Sequence, residues 1–555
     1  MKFRWRWHLL LLPLAALAGT APLMMHGVSC GHDFDFHIDN WIEVAQQWKQ
    51  GISWPHWDVS ANFGAGEPRF VFYPPLSWML GALLGILLGW NIAPAAYVFI
   101  SLFAAAVSMY LLAREYAERR AAVIAAALYA TNPYMMFVVY ERAAYAELLA
   151  AAWMPLVLLY ALRPKIDVRP LALAIALCWL TNGPAGVMAT YAVVLLLLFR
   201  VLAEHDWKNL LRGCVAVALG IGLSAFYLWP AVIERRWIQI ENALTDDSGP
   251  HTSFLFGHVG SAGHIAVLHT ASWLAVILFV TAAVSYSVAG RRRSGESLAI
   301  PAMLLGILLL LMLPVSAFVW HHAPQLVFLQ FPWRLLVIVA VLAALGISVA
   351  LARAGKYAWL ALALGALSVA ASYPHFRQYC DEEDVVPAQI AAIESGRGVE
   401  GSDEYSPRDS DSSTLKAGMP HAWLAKDANA PPPEGDDTAR ISVREWSTEE
   451  RRMVVRADQS GYLVVRMMDF PAWHLRVDGH DAPAQMRTTQ RDDGLLAVPV
   501  TEGVERLDLV YREPDDVLRG RLISLSAALL LLVMSAWSAR KPLAVSRQVT
   551  ASTTL

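Results

Sequence analysis

Charge is what this sequence has least of. Only 16% of its 555 residues are charged, while 56% are apolar. Soluble globular chains carry about 25% charged and about 45–50% apolar residues. At this length the imbalance leaves a polytopic membrane protein and excludes a disordered chain or a fibre. Neither sign dominates: 44 Lys and Arg stand against 47 Asp and Glu, a net charge of −3. With no basic excess and no basic tail, nucleic acid is not indicated as a partner. Cysteine is scarce as well. The four residues form no C-x-x-C pair and no zinc spacing, and they are too few for a disulfide scaffold. The sequence shows no internal repeat.

What is present is a series of long, nearly uncharged runs, as a helix crossing about 30 Å of hydrocarbon requires. They lie at 8–25, 91–113, 121–138, 147–162, 171–181, 184–199, 213–230, 265–289, 298–318, 335–352, 357–373 and 521–539. The stretch 171–199 is broken by Thr181-Asn182-Gly183-Pro184, being too long for one crossing and slightly short for two. No A-x-A-like site follows the first run, so it reads as an anchor and not as a cleaved signal peptide. Cationic loops set the orientation. The start MKFRWRW, Arg114–Arg120, Arg163–Arg169, Lys208–Arg212, Arg291–Arg293, Arg353–Lys356 and Arg540-Lys541 all read as cytoplasmic. That pattern needs an even number of crossings, and twelve satisfy it with both termini in the cytoplasm.

One apolar run breaks the parity. Residues 70–90 (FVFYPPLSWMLGALLGILLGW) begin outside, and as a full crossing they would invert every later cationic loop. They are therefore expected to form a re-entrant or interfacial helix entered through Pro74-Pro75, covered by protein or lining a cavity. The alternative is a thirteenth span with one violated loop. The expected organisation is a membrane module over 1–373 with an exterior loop at 26–70, an exterior domain over 374–519, and a last span with a cytoplasmic tail over 520–555. ISVRE (441–445), RMVVRA (452–457), YLVVRM (462–467), HLRVDG (474–479) and RLDLVY (506–511) alternate as strands do, which predicts an antiparallel sandwich. Cys178 and Cys214 fall in spans as small hydrophobes. Cys30 and Cys380 both fall outside, where the compartment is oxidising and a disulfide could join them.

Three polar clusters stand at the same outer face. Loop 31–75 concentrates His32, Asp33, Asp35, His37, Asp39 and Glu43 beside Trp41, Trp48, Trp54 and Trp57. Residues 36–49 fit an amphipathic helix lying along the interface, with Phe36, Trp41, Val44 and Trp48 on one side. A solvated loop with an aromatic belt would carry the same tryptophans. The second cluster, YERAAYAE (140–147), holds Glu147 at the start of a span. There a carboxylate is either functional or a cap on the positive helix end. Arg142 could grip a phosphate or pair with Glu141 or Glu147. The third is Phe331-Pro332-Trp333-Arg334, with His321, His322, Gln325 and Gln330 upstream. Arg334 suits an anionic lipid head group, or snorkels to ordinary phospholipid. Asn182 at the tip of a helical hairpin could add hydrogen bonds or simply pack. Together these pieces describe an outward cavity where a carboxylate takes a proton from an acceptor hydroxyl. A cation there would offset charge developing on a phosphate leaving group. Asp33 and Glu147 also suit a hard divalent metal such as Mg²⁺ or Mn²⁺.

The stretches GHDFDFH (31–37), NFGAGEPRFVFYPPL (62–76), YERAAYAELLA (140–150), LTNGPAG (180–186), FPWRLL (331–336), DEYSP (403–407) and DFPAWHLRVDG (469–479) carry a resemblance. The chain resembles multi-span glycosyltransferases of the C-type fold, which use polyprenyl-phosphate-linked sugars at the outer membrane face. More closely, it is similar to a bacterial membrane-protein family labelled "6-pyruvoyl-tetrahydropterin synthase-related", a label that implies no pterin chemistry. The resemblance implies an α-helical polytopic membrane protein of the bacterial inner membrane, with a mostly-β exterior domain that covers the cavity or binds acceptor. It implies Asp33 as general base or metal partner, and Glu147, or else Glu141, as the second acid. His37 would orient acceptor or acid, and Arg142 and Arg334 would face the lipid phosphate with Asn182 nearby. Where the common pattern has Thr-His this chain has Thr181-Asn182, so a proton-transfer role there lacks its usual residue. The implied function is transfer of a sugar from a polyprenyl-phosphate donor to an envelope glycan, lipid or protein, the other partners being membrane lipids. Two other classes compete: a lipid or polysaccharide flippase, which favours broken helices and inverted repeats, and a non-catalytic partner in envelope assembly.

Overall fold

The computed structural model describes residues 7–540 apart from 246, 291–297, 354, 356–357, 373–376, 434–439, 484–485 and 487–490. The chain is an α-helical polytopic membrane protein with an exterior β domain. Among the described residues eight helices are long and apolar enough to cross a bilayer: Trp7–His26, Ala93–Arg114, Arg119–Tyr140, Tyr145–Leu162, Gly183–Glu204, Ala262–Gly290, Pro332–Arg353 and Asp515–Trp537. Two more expected crossings are broken. Trp207–Leu223 and Ala225–Trp237 meet at 75° around Ser224, and Ala299–Leu311 and Pro314–His322 meet at 89°. The second break has a plain cause, since Pro314 lacks the N–H that would continue the ladder and displaces the residue before it from helical geometry. Two shorter apolar helices, Val168–Thr181 and Ala358–Ser372, occupy the remaining expected runs.

The parity-breaking run forms a 14-residue helix, Pro75–Leu88, about 21 Å long at 1.5 Å per residue. Val168–Thr181 has the same number of residues. Length therefore does not separate the two helices.

The first-loop helix Phe34–Lys49 differs from its expected place along the interface. It is enclosed by protein, between Pro75–Leu88 on one side and the short exterior helix Val386–Glu394 on another. Phe34, Ile38, Trp41, Ile42 and Ala45 join the membrane core. Trp41 stacks on Tyr97 at 4.9 Å between ring centroids, and it lies so close to Gly81 that a Cβ there would stand 2.0 Å from the indole. The aromatic stripe read as a lipid contact is thus a packing face. The acids were spaced for a different neighbour.

The exterior domain is antiparallel throughout. β1 (Ala422–Ala425), β4 (Gly461–Met468) and β7 (Leu495–Val500) form one sheet in the order β1-β4-β7. β2 (Ile441–Trp446), β3 (Glu450–Ala457), β5 (Trp473–Val477), β6 (His480–Asp481) and β8 (Gly503–Tyr511) form the other, in the order β2-β3-β8-β5-β6. Alternate residues of β3 and consecutive residues of β4 and β7 share one apolar core, which includes Met453, Leu463, Trp473, Val498 and Leu509. Trp57 and Ala65 of the first loop are buried in that same core. The domain is therefore seated on loop 26–70, and not tethered beside it. Cys30 and Cys380 are joined by a disulfide, with their Cα atoms 4.9 Å apart. It pins the segment leading into the exterior domain to the start of that loop.

Candidate active site

The first loop reaches the second through a glycine. Gly31 lies against the 141–143 turn so tightly that a Cβ would stand 2.4 Å from the Glu141 carbonyl oxygen. The next turn follows that contact: the Asp33 amide donates to the Arg142 carbonyl at 2.9 Å. Ala143 adopts a left-handed φ of 48°, a conformation unusual for a residue with a Cβ and one that concentrates at functional turns. It reverses the chain between Arg142 and Glu147.

The four charged side chains meet there. Arg142 Nη1 donates to Glu147 Oε2 at 2.6 Å, and its Nη2 to Asp33 Oδ2 at 3.2 Å. Arg334 Nε lies 3.2 Å from the same Glu147 oxygen, and its Nη1 donates to the Leu329 carbonyl and to Gln330 Oε1, both at 2.9 Å. Both guanidinium groups lie over aromatic faces, Arg142 on Trp333 at 5.1 Å and Arg334 on Phe331 at 4.9 Å. Such stacking suits the weakly hydrated Arg cation.

The two acids differ in surroundings. Glu147 is 4% exposed, with Tyr134 OH donating to its Oε1 at 2.5 Å and both arginines on its Oε2. Asp33 is 36% exposed. A group with no vacant oxygen holds its neighbours in place, whereas Asp33 keeps Oδ1 for a ligand. Burial works against the Arg142 cation, but Asp33 and Glu147 outweigh it and hold the guanidinium above its ordinary range. His37 is buried and stacked on Tyr145 at 5.5 Å. Burial pushes its imidazole down to about 4, so it is neutral at pH 7, and its Nδ1 has no hydrogen-bond partner among the described residues.

Asp33, His37, Glu147, Asn182 and Arg334 all line one cavity of about 470 Å³, with Arg142 behind its wall. Asn182 caps the helix Gly183–Glu204 by accepting from the Ala185 amide at 3.0 Å. The positive end of that helix thus borders the cavity, a favourable place for an anion. Ile240, Ala243 and Phe328 give one wall an apolar character. Glu141 lies elsewhere, accepting from Gln378 at 2.8 Å, and His321 and His322 do not line the cavity. The exterior domain closes the cavity with Ser402, Glu404 and Tyr405. Glu404, whose carboxyl burial pushes up, joins Asp33, Asp35 and Glu147 as the fourth acid lining the cavity. The sequence reading quoted the 403–407 stretch but did not place its side chains in the site. Tyr134, which donates to Glu147, was missed and has no spacing signal of its own; Gln330, named beforehand only as a neighbour of Arg334, accepts from it.

Arg142 stands between Asp33 and Glu147, and Glu147 accepts from Tyr134 through Oε1 and from Arg142 through Oε2. Among the described residues no group of three or more His, Cys, Asp or Glu converges on a metal-sized site.

A second buried cluster lies under the turn at 62–66. Arg69 pairs with Glu67 at 2.6 Å and with Asp58 at 3.1 Å, and donates to Asn40 Oδ1 at 3.1 Å. Glu67 Oε2 accepts from the Ser402 amide at 3.0 Å, which ties the cover of the cavity to the first loop.

A family model described as a membrane-protein domain related to 6-pyruvoyl-tetrahydropterin synthase matches residues 70–378, more than half of the chain. The chain belongs to this family. No curated protein matches it. Solved structures with a similar arrangement include the archaeal oligosaccharyltransferase AglB from Archaeoglobus fulgidus, in complex with an inhibitory peptide and a dolichol-phosphate. Identity to it is 18%, over 73% of this chain and 57% of that one, with a TM-score of 0.40. For the arabinofuranosyltransferase AftD from Mycobacteria the identity is 17%, over 72% and 27%, at 0.44. For ArnT from Cupriavidus metallidurans bound to undecaprenyl phosphate it is 15%, over 62% and 78%, at 0.29. The chain thus spans little more than half of AglB and about a quarter of AftD.

Proposed function

We propose that the protein is a membrane glycosyltransferase of the C-type, moving a sugar from a polyprenyl-phosphate donor to an envelope glycan, lipid or protein acceptor. The supporting observation is the convergence of Asp33, Arg142, Glu147 and Arg334 on one cavity with an apolar wall, under an exterior cover. With the cationic loops placed in the cytoplasm, both termini are cytoplasmic and the cavity faces the outside of a bacterial inner membrane.

The roles follow from the geometry. The donor phosphate sits at Arg334 and the N-terminus of Gly183–Glu204, with Asn182 at its edge. Asp33 takes the proton from the acceptor hydroxyl. The hydroxyl oxygen bonds to the anomeric carbon, the bond from that carbon to the phosphate oxygen breaks, and polyprenyl phosphate leaves with the electron pair. Arg334 offsets the charge that grows on it. Glu147 and Arg142 are positioning residues: one fixes both arginines, the other fixes Asp33. Neutral His37 accepts or donates a hydrogen bond to the incoming acceptor.

The test is transfer from a defined polyprenyl-phosphate sugar by purified protein and by Asp33→Asn and Arg334→Ala. Loss in both supports the assignment. Wild-type rates in both would remove Asp33 and Arg334 from the mechanism, and no transfer by the unaltered protein would leave it as a flippase or an assembly partner.

A further inference from the structure

A second cavity of about 430 Å³ adjoins the first, and Asp35, Phe36 and Ser402 line both. Its floor is the helix Phe34–Lys49, and its roof is the segment running from Glu383 to Ser402. The roof is stitched down by backbone: Phe63 donates to Val399 at 2.8 Å and Val399 to Ser60 at 2.9 Å. Asp35, Asp39, Glu383, Asp384 and Glu400 give the cavity five carboxyl groups. Arg69 and Arg397 are its cations, and Arg69 already pairs with Glu67 and Asp58. Asp39 is 5% exposed, and its Oδ1 is buried with no hydrogen-bond partner among the described residues. A buried carboxyl oxygen without a donor is costly unless a ligand supplies one.

Carboxyl groups outnumber arginines in both cavities, but the first holds Arg334 beside Glu147 and the helix N-terminus capped by Asn182, which suit a phosphate, and the second has no such pair. The acids stand around the second cavity without converging on a metal-sized point. Its volume falls in the range of small-molecule sites, and Phe36, with Arg69 over its ring at 4.7 Å, stands at the junction. We propose that the acidic cavity is the acceptor subsite and that it selects a glycan carrying a free amine, the ammonium donating to Asp39 while a neighbouring hydroxyl reaches past Phe36 toward Asp33. The role as acceptor subsite rests on the glycosyl-transfer reading above; the amine selectivity does not. Burial pushes the Asp39 carboxyl well up, so the arriving ammonium also stabilises its ionised form.

The experiment compares binding of a glucosamine disaccharide with that of its N-acetylated counterpart, by calorimetry on the full-length protein in lipid nanodiscs at pH 7. An ion pair in a partly desolvated site corresponds to a preference of about tenfold or more for the free amine. Asp39→Asn abolishes that preference, and Asp35→Asn, an exposed position, reduces it without threatening the fold. Equal affinity for the two disaccharides, or a preference surviving in both variants, overturns the inference. So does tighter Asp39-dependent binding of Ca²⁺ alone or of a lysine peptide. Binding of polyprenyl phosphate to the wild-type protein is measured in parallel. Its absence fails the glycosyl-transfer reading, whereas its presence without amine selectivity fails only the acceptor inference.

Discussion

Asp33 and Glu147 share one arginine but should respond to neutralisation in opposite ways. Glu147→Gln leaves Arg142 and Arg334 facing each other across an amide, both buried. Removing one partner of a buried ion pair costs about 3–5 kcal/mol, since the remaining charge stays desolvated. Asp33→Asn removes a carboxylate that is 36% exposed, and exposed pairs are worth about 0–1 kcal/mol. Its backbone bond to the Arg142 carbonyl persists. The two variants therefore differ by at least about 2 kcal/mol, roughly thirtyfold in an equilibrium or in a half-life governed by unfolding. The 21 tryptophans provide the signal: loss of native fluorescence at one fixed temperature in detergent gives a half-life for each variant. Glu147→Gln decays fastest and Asp33→Asn matches wild type within about threefold. Transfer behaves differently. Asp33→Asn loses about 10²–10⁴ of the rate, the usual worth of a general base. If Asp33→Asn decays as fast as Glu147→Gln, or if Glu147→Gln is as durable as wild type, the division between base and positioning residue is wrong.

Other perturbations reach different parts of the molecule. Burial raises Glu43 and Glu67 from ordinary values near 4.5 to about 7. Their contribution is complete below about 4.5 and fades as pH rises to about 7; His37, lowered from 6.5 to about 4, withdraws its own contribution as pH falls through that window. Thermal half-lives should accordingly be longer at pH 6 than at pH 8, and Glu43→Gln with Glu67→Gln flattens that difference. Reducing the Cys30–Cys380 disulfide frees one anchor of the roof, so trypsin cuts at the exposed Arg397 several-fold faster in reduced than in oxidised protein; equal rates would show that backbone bonding alone holds the roof. Chelation by EDTA leaves the transfer rate unchanged if Arg142, which bridges Asp33 and Glu147, supplies the positive charge there; a rate lost to EDTA and restored by Mn²⁺ would assign that charge to a metal.

The membrane helices were legible because apolar length is a local signal, and five of the strands because alternation is. β1, β6 and β7 were not read: AWLA, HD and LLAVPV are too short or too continuously apolar to alternate. The outer-face clusters were legible as groups, since acids beside aromatics are unusual at a membrane boundary. Their separate roles were not. Whether Glu147 is a base or a clamp depends on Tyr134 and Arg334, which approach it from other helices. The placement of Phe34–Lys49 failed for the same reason. Asp35, Asp39 and Glu43 recur every four residues, which marks one helix face, but only residues 383–402 show that this face is roofed and not wet. The Asp58–Glu67–Arg69 cluster had a signal in the charged pair that follows the glycines of NFGAGEPR.

The disulfide spans 350 residues of sequence, and synthesis proceeds at about 5–20 residues per second. Cys30 therefore waits roughly 18–70 s on the outer surface before its partner is made. During that interval the acids of the first loop have no roof. The cavity is a late product of biogenesis, complete only when nearly every membrane segment has been inserted. A chain stalled or truncated before Cys380 carries the acids and arginines in place, yet leaves their polar groups open to water.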